Sequence, residues 1–248
     1  MDFTDINNIV KLLKNSHNTV VVTGAGISTE AGIPDFRGEN GIYRTLGERR
    51  VMSLLNIEAF RRNPEVFYEF YRQYFIFPQV QPSKAHLVLA DMEKRGVIKA
   101  IVTQNIDNLH QKAGSKRVIT VHGNAERYIC TERSCRSVYN TEYVKNFPEI
   151  VPTCEKCGSM LKPDVVLFGE QIQNYTDARE AILRCKLLVV IGSSLAVYPL
   201  AGFVKEFSTF LQDLVIINKG RTEMDHAAIV KLESTNTGNI LEEINRRL

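Results

Sequence analysis

Thr19-Val20-Val21-Val22-Thr23-Gly24-Ala25-Gly26 is the stretch that decides how this chain folds. Its β-branched run is stiff at χ1 and favours a strand. The Gly24-Ala25-Gly26 that follows puts residues without side-chain bulk where a strand turns towards a helix. Such a turn brings backbone N–H groups close to a phosphate, and a helix start adds a favourable partial positive charge. The same three residues also suit an ordinary tight turn, and the third glycine of the dinucleotide fingerprint is missing from its usual position. The continuation Gly32-Ile33-Pro34-Asp35-Phe36-Arg37-Gly38 sets a proline, an aromatic and an arginine between glycines. It predicts an ordered but movable loop rather than a continuing helix.

Upstream, Ile6, Ile9, Val10, Leu12 and Leu13 recur at helical spacing after Thr4 and Asp5, which predicts a capped amphipathic helix leading into the first strand. Downstream, Glu39 to Pro82 gathers Tyr43, Phe60, Phe67, Tyr68, Phe70, Tyr71, Tyr74, Phe75 and Phe77 without strand alternation, and reads as a helical module with an aromatic core. A helix over Ser83 to Arg95 and a buried strand over Val97 to Thr103 come next. The apolar runs 118–121, 187–191 and 214–217 have the continuous hydrophobicity of parallel strands covered on both faces. Helical patterns lie near Asp177 to Arg184, Leu200 to Leu211 and Asn239 to Arg247. This alternation predicts an α/β protein: a doubly wound, Rossmann-like parallel sheet whose ligand sits at the carboxyl ends of its strands. Residues 1–38, 83–126 and 163–248 form that domain. Two insertions, the helical module 39–82 and a cysteine-bearing module 127–162, form a smaller one.

The chain has 248 residues, 44% hydrophobic and 24% charged, with a net charge of +3. These values describe a globular protein with a sizeable core, and the charge gives no reason to expect a nucleic-acid or membrane surface. Met1 to His17 carries no basic segment before an apolar core, and no later apolar run approaches a membrane span. The expected location is the cytoplasm. Of five cysteines, four pair within one short segment, which fits a metal site in a reducing compartment better than a disulfide framework. Cys130 and Cys135, then Cys154 and Cys157, supply two thiolate pairs suited to one structural Zn²⁺, with no open position for a reacting water. Cys185, on an apolar helix face, is read as a buried bystander.

Other motifs carry chemistry to the strand ends. Gln104, Asn105 and Asp107 follow the buried strand that ends at Thr103, where a ligand crevice is expected, although short polar residues there also cap helices. His122-Gly123 follows the next strand, and an imidazole suits proton abstraction near neutral pH. Gly192-Ser193-Ser194 and Asn218-Lys219-Gly220 end two more strands. Strand after strand thus delivers small or polar residues to one edge, which argues for a long ligand lying across it.

GAGIST, GIPDFRG, TQNIDNLH, the His122-Gly123 pair, the cysteine pairs, KPDVVLFGE, GSSLAVYP and Asn218-Lys219 occur in order over nearly the whole chain. Together they resemble the sirtuins, the NAD-dependent protein deacylases, in the short form found in bacteria and archaea. The resemblance implies NAD as co-substrate, acetyl-lysine proteins or peptides as substrates, and nicotinamide and O-acetyl-ADP-ribose as products. It places Ala25 and Thr29 against the dinucleotide phosphates or adjacent ribose, and Phe36 and Arg37 in the loop that closes over the nicotinamide ribose. It makes Gln104, Ile106 and Asp107 the nicotinamide wall, with Asn105 holding a water or ribose hydroxyl. His122 becomes the general base for a ribose hydroxyl. Ser193 and Ser194 take the adenosine side, Asn218 and Lys219 the adenine ribose, and Thr237 to Asn239 the last adenine contact. Val166, Leu167, Phe168 and Gly169 become a strand that pairs with the substrate peptide through its backbone.

Two departures from the family pattern stand out. Four residues separate Cys130 from Cys135 where the family commonly has two, so this turn is wider. Members that remove acidic acyl groups carry an arginine three residues after a tyrosine of the aromatic module; here Tyr71 is followed at that distance by Tyr74, with Arg72 displaced. Acetyl or another uncharged acyl group is therefore the expected substrate. The competing readings are mono-ADP-ribosyl transfer, which shares the cofactor chemistry, and a non-catalytic NAD or ADP-ribose-binding module.

Overall fold

The computed structural model describes residues 3–39, 41–77, 80–210, 212–234 and 236–248. Met1, Asp2, Asn40, Pro78, Gln79, Leu211 and Thr235, which the ranges read from the sequence include, lie outside the described residues. The elements in chain order are α1 (Phe3–Asn15), β1 (Thr19–Thr23), α2 (Ile42–Leu46), α3 (Glu48–Leu54), α4 (Ile57–Arg62), α5 (Pro64–Tyr74), α6 (Lys84–Lys94), β2 (Ala100–Thr103) and α7 (Leu109–Lys112). They continue with β3 (Val118–Thr120), β4 (Gly123–Cys130), β5 (Val138–Asn140), α8 (Thr141–Asn146), β6 (Leu161–Val165), α9 (Tyr175–Arg184), β7 (Leu187–Ile191), α10 (Leu200–Ser208), β8 (Asp213–Ile217), β9 (Val230–Leu232) and α11 (Thr237–Arg247).

The larger sheet has the order β3-β2-β1-β7-β8-β9, and all its pairings are parallel. Its β-branched strands alternate between two cores, as the period of two requires. Val21 packs with α1, α6 and α11 through Ile9, Leu89, Met92 and Ile244. Val20 and Val22 pack on the opposite face with α9 and α10 through Ile182, Phe203 and Phe207. The expected doubly wound sheet is thus present, with β1 at its centre. Val97 and Ile98 precede β2 rather than belonging to it, and β9 is a short edge strand that the apolar-run reading missed. Cys185 is buried in the α9 and α10 core, with its Sγ bonded to the Ile182 carbonyl.

The chain leaves the large sheet after β3 and enters a three-stranded antiparallel sheet, order β5-β4-β6, at Gly123. A third core joins this sheet to α2–α5: Phe67, Tyr68, Tyr71 and Phe75 pack with Tyr128, Leu161 and Val165. The Tyr71 ring stacks against both Phe67 and Phe75, with centroids 5.5 Å apart in each pair. The Tyr68 hydroxyl crosses to donate to the Leu161 carbonyl at 2.6 Å. No helix among the described residues is long and apolar enough to cross a membrane.

Candidate functional site

The chain runs outward from β1 towards β3 in one direction and towards β9 in the other, so the direction of winding reverses between β1 and β7. In open α/β sheets this is where a crevice opens at the carboxyl ends of the strands. Here the turns after the two strands are bonded together: Gly24 N–H donates to Ile191 O (3.1 Å) and Gly26 N–H to Gly192 O (2.8 Å). A Cβ on Gly26 would lie 2.8 Å from Gly192 Cα, and one on Gly192, whose φ is +61°, would lie 2.5 Å from Ile27 N. These glycines first allow one turn to lie on the other.

The helix expected after Gly26 is absent. Two 3₁₀ turns, Ala25–Ile27 and Thr29–Ala31, take its place, and Gly32 ends the second at φ 89°. The cause lies in Ser28, whose side chain is drawn inward by polar partners, and in Pro34, which has no N–H to continue a helix. Neither turn is capped by a side chain, so a phosphate arriving there meets backbone N–H groups.

Ser28, which lies between Ala25 and Thr29 in the same motif, was passed over by sequence reasoning and joins Asn105 to Asp107. It is fully buried (0% exposed). Its hydroxyl donates to Asp107 Oδ2 at 2.6 Å and accepts from Asn105 Nδ2 at 3.1 Å. Asn105 Nδ2 also donates to Gly24 O at 3.1 Å, which engages both amide hydrogens and leaves Oδ1 as the acceptor for a ligand. Asp107 Oδ1 receives the Leu109 N–H at 3.0 Å. Gln104 is fixed from the neighbouring turn, since Ser193 Oγ donates to its Oε1 at 2.9 Å.

His122 stands where the chain passes from the large sheet to the small one. Its Nδ1–H donates to the Gln104 carbonyl at 2.9 Å, so Nε2 is the bare nitrogen of the neutral ring. Burial lowers its pKa below 6.5, and the Gln104 bond opposes this in part. A side chain on Gly123, which has φ +87°, would collide with the Asp164 carbonyl, so this position after the histidine admits only glycine.

The other predicted residues spread outward. Ala25 and Thr29 sit on the two turns, and Thr29 is exposed. Phe36 is half-buried against Tyr43, centroids 5.3 Å apart, and Arg37 lies over the same ring while pairing with Glu48 at 2.9 Å. Ile106 packs against the third core, and its carbonyl accepts Ala125 N–H at 2.8 Å. Ser193 is buried and committed to Gln104, whereas Ser194 is half-buried. Asn218 bonds the Gly220 carbonyl, and Lys219 is exposed, 3.8 Å from Glu39. Thr237 to Asn239 opens α11, where Gly238 N–H meets Glu30 Oε1 at 2.9 Å.

The strand expected over Val166–Gly169 is corrected by the structure: β6 stops at Val165. Val166 N–H bonds His122 O, while Phe168 exchanges bonds with Leu55 O and Ile57 N, and Gly169 has φ +92°. Backbone pulled to two separate partners and closed by a left-handed glycine cannot continue a ladder. Phe168 forms an isolated bridge with Asn56 instead.

Cys130, Cys135, Cys154 and Cys157 bring all four Sγ atoms within 4.8 Å of one another. Metal–sulfur bonds of about 2.3 Å in a tetrahedron require sulfur–sulfur edges of about 3.8 Å. The Cys130–Cys157 and Cys135–Cys154 pairs, at 3.4 and 3.6 Å, come close to that. The wider first turn therefore still delivers its ligands. Tyr139 OH accepts the Glu155 N–H at 2.9 Å and lies 3.2 Å from Cys154 Sγ, where it can donate to a thiolate.

Residues 24–199 match the model of the Sir2 family. The chain is similar to the NAD-dependent protein deacetylase of Thermotoga maritima, 46% identical over 228 residues, 89% of either chain. It is also similar to that of Clostridium acetobutylicum, 41% identical over 243 residues, 96% of this chain and 97% of that one. Among solved structures, a Sir2 protein with a deacetylated p53 peptide and 3′-O-acetyl ADP-ribose superposes with a TM-score of 0.88 at 40% identity, covering 98% of this chain and 96% of that one. A complex of Sir2, p53 peptide and NAD⁺ gives 0.84 at 38% identity, covering 97% and 96%.

Proposed function

Because the chain belongs to the Sir2 family, we infer that it is an NAD-dependent protein deacetylase, releasing acetyl groups from lysine side chains as O-acetyl-ADP-ribose together with nicotinamide. The observation that carries this reading is the state of His122. Its Nδ1 is held by Gln104 O, and its Nε2 is bare beside the turn bearing Asn105. The uncapped turns, the free Oδ1 of Asn105 and the bare Nε2 make a donor and acceptor set that fits the dinucleotide. Bound NAD supplies the electrophilic ribose carbon and the leaving group.

His122 takes a proton from a ribose hydroxyl at Nε2. Asn105 accepts from a water or ribose hydroxyl at Oδ1, and Gln104, Ile106 and Asp107 wall the nicotinamide pocket. The backbone at Ala25 and Thr29 meets the phosphates. Phe36 and Arg37 cover the nicotinamide ribose. Ser193 acts through Gln104, while Ser194, Asn218, Lys219 and the start of α11 serve the adenosine. Val166, Leu167, Phe168 and Gly169, which follow β6, meet the substrate peptide. The cysteine cluster holds one structural Zn²⁺ and takes no part in the chemistry. Residues 39–82 and 127–162 together make the smaller domain, a division supported by their common core. Five unpaired cysteines support a reducing, cytoplasmic location.

The test is incubation with an acetylated peptide and labelled NAD. Nicotinamide, deacetylated peptide and acetyl-ADP-ribose should form in equal amounts. Label on protein would favour ADP-ribosyl transfer, and no nicotinamide release would favour a binding module. His122→Ala should lose turnover and keep cofactor binding; an active variant would remove His122 from the mechanism.

A further inference from the structure

Glu30 lies on the second 3₁₀ turn, one residue after Thr29, and its carboxylate reaches another element. Oε1 accepts the N–H of Gly238, the second residue of α11, at 2.9 Å across 208 positions of chain. Glu30 is exposed, whereas the glycine is buried. A Cβ on Gly238 would lie 2.6 Å from Glu30 Oε2 and 3.0 Å from Lys84 Cβ. A side chain there would push the carboxylate away, so the pairing needs this glycine.

Two further contacts close a ring around the same turns. Ser83, just before α6, donates from Oγ to the Ile27 carbonyl of the first turn at 3.2 Å. Lys84, the first residue of α6, binds Asn239 Oδ1 at 3.2 Å and Glu242 Oε2 at 2.9 Å on α11. The first turn is thus tied to α6, α6 to α11, and α11 back to the second turn through Glu30. The Asn236 side chain accepts the Asn239 N–H at 3.0 Å, so side chains fill two of the donors that a helix start leaves unbonded. A carboxylate beside those donors also meets the partial positive charge of the helix end. Bonded there, the charge of Glu30 is partly offset in a segment whose uncapped turns are to receive phosphates.

We propose that Glu30 is a positioning residue for the dinucleotide: by bonding Gly238 it pins the second turn, which meets the phosphates, to the start of α11, which serves the adenosine. This role rests on the NAD-dependent reading. Glu30 touches no reacting atom; it sets how far apart the two ends of the site lie.

The test has two arms. Glu30→Ala leaves no cavity in a core, because the residue is exposed, and should fold. In the ligand-free protein, amide hydrogen exchange at Gly238 should quicken by about tenfold or more in Glu30→Ala. It should stay near the unmodified rate in Glu30→Gln, whose carboxamide oxygen keeps an acceptor. An unchanged Gly238 rate in the alanine variant overturns the link. The binding arm follows ADP-ribose by calorimetry. Its Kd should rise by about three- to tenfold in Glu30→Ala and by less in Glu30→Gln, with KM for the acetylated peptide unchanged. Gly238→Ala should also weaken ADP-ribose, and by less on the Glu30→Ala background, where no carboxylate is left to displace. Unchanged or tighter ADP-ribose binding in Glu30→Ala, equal defects in the alanine and glutamine variants, or a matched rise in peptide KM overturns the positioning role. Normal NAD turnover with an unmoved Gly238 amide sinks the proposal alone. An unmodified protein that neither binds ADP-ribose nor turns over NAD sinks the NAD-dependent reading and the positioning role with it, and leaves exchange to decide the link.

Discussion

Ser28→Ala is the sharpest perturbation of the site. The hydroxyl is fully buried and joins the two residues that follow β2, donating to Asp107 and accepting from Asn105. A hydrogen bond to an acidic group is worth about 1.5–3 kcal/mol and a neutral one about 0.5–1.5 kcal/mol, and removing the hydroxyl leaves a buried acceptor and a buried N–H unmatched. The expected loss of stability is therefore about 2–4 kcal/mol. For a chain of this size each kcal/mol moves the melting point by about 2–4 °C, so Tm should fall by about 4–16 °C in a ligand-free thermal melt followed by circular dichroism. Activity should fall further than stability accounts for at a temperature where the variant stays folded. The freed amide of Asn105 can turn away from the ligand, and small misplacements cost about 10²-fold in rate. A variant melting within about 1 °C of the parent protein, with unchanged kcat/KM on an acetylated peptide, would refute the assignment of Ser28 as the link.

The pH dependence of kcat/KM follows from His122. Burial lowers its pKa below 6.5, the protonated ring cannot accept a proton, and activity should rise through that lowered value to a plateau at neutral pH. An acid limb centred at or above 7 contradicts this. Metal removal by a strong chelator should abolish the near-ultraviolet dichroism of the tyrosines around the cysteine cluster and reduce deacetylation, because Cys130 and Cys154 belong to the third core; an apoprotein with unchanged spectrum and rate counts against a structural ion. Acyl preference follows from Arg72, whose guanidinium binds the carbonyls of Glu149 and Ile150 at 3.1 and 3.0 Å. Held there through Nε and one Nη, Arg72 is not free to reach an acyl carboxylate, so an acetylated peptide should exceed its succinylated counterpart in kcat/KM by at least about tenfold. Comparable values would show that Arg72 or another cation reaches the acyl chain.

The large sheet was legible because its strands are covered on both faces and read as unbroken apolar runs. β9, only three residues long and at the edge, leaves no such run. His122, Asn105, Gln104 and the four thiols were all named from sequence because a motif carries each, and the structure places the first three at the strand ends and the thiols in one cluster. Ser28 was not, because a serine beside a glycine turn reads as an ordinary turn residue, and only its contacts with residues 77 and 79 positions away give it a role. The strand that the family resemblance implied over Val166–Gly169 lies beyond the end of β6, and its hydrogen bonds go to His122 and to the Leu55–Ile57 corner.

Those same bonds tie the ends of the large sheet to the third core. Phe36 is tied to α2 through the Tyr43 N–H, and Phe168 to the corner between α3 and α4. The segment of Phe168 is tied to His122 through the Val166 N–H, and both segments pack on the third core together with Ile106, Cys130 and Cys154. The glycine turn after β1, by contrast, is locked to the turn after β7, where neither Gly26 nor Gly192 has room for a side chain. The crevice therefore has one wall set by backbone on backbone within the large sheet and another set by the aromatic third core. Displacing that core would move the segments of Phe36 and Phe168, which pack on it, and leave the two glycine turns in place.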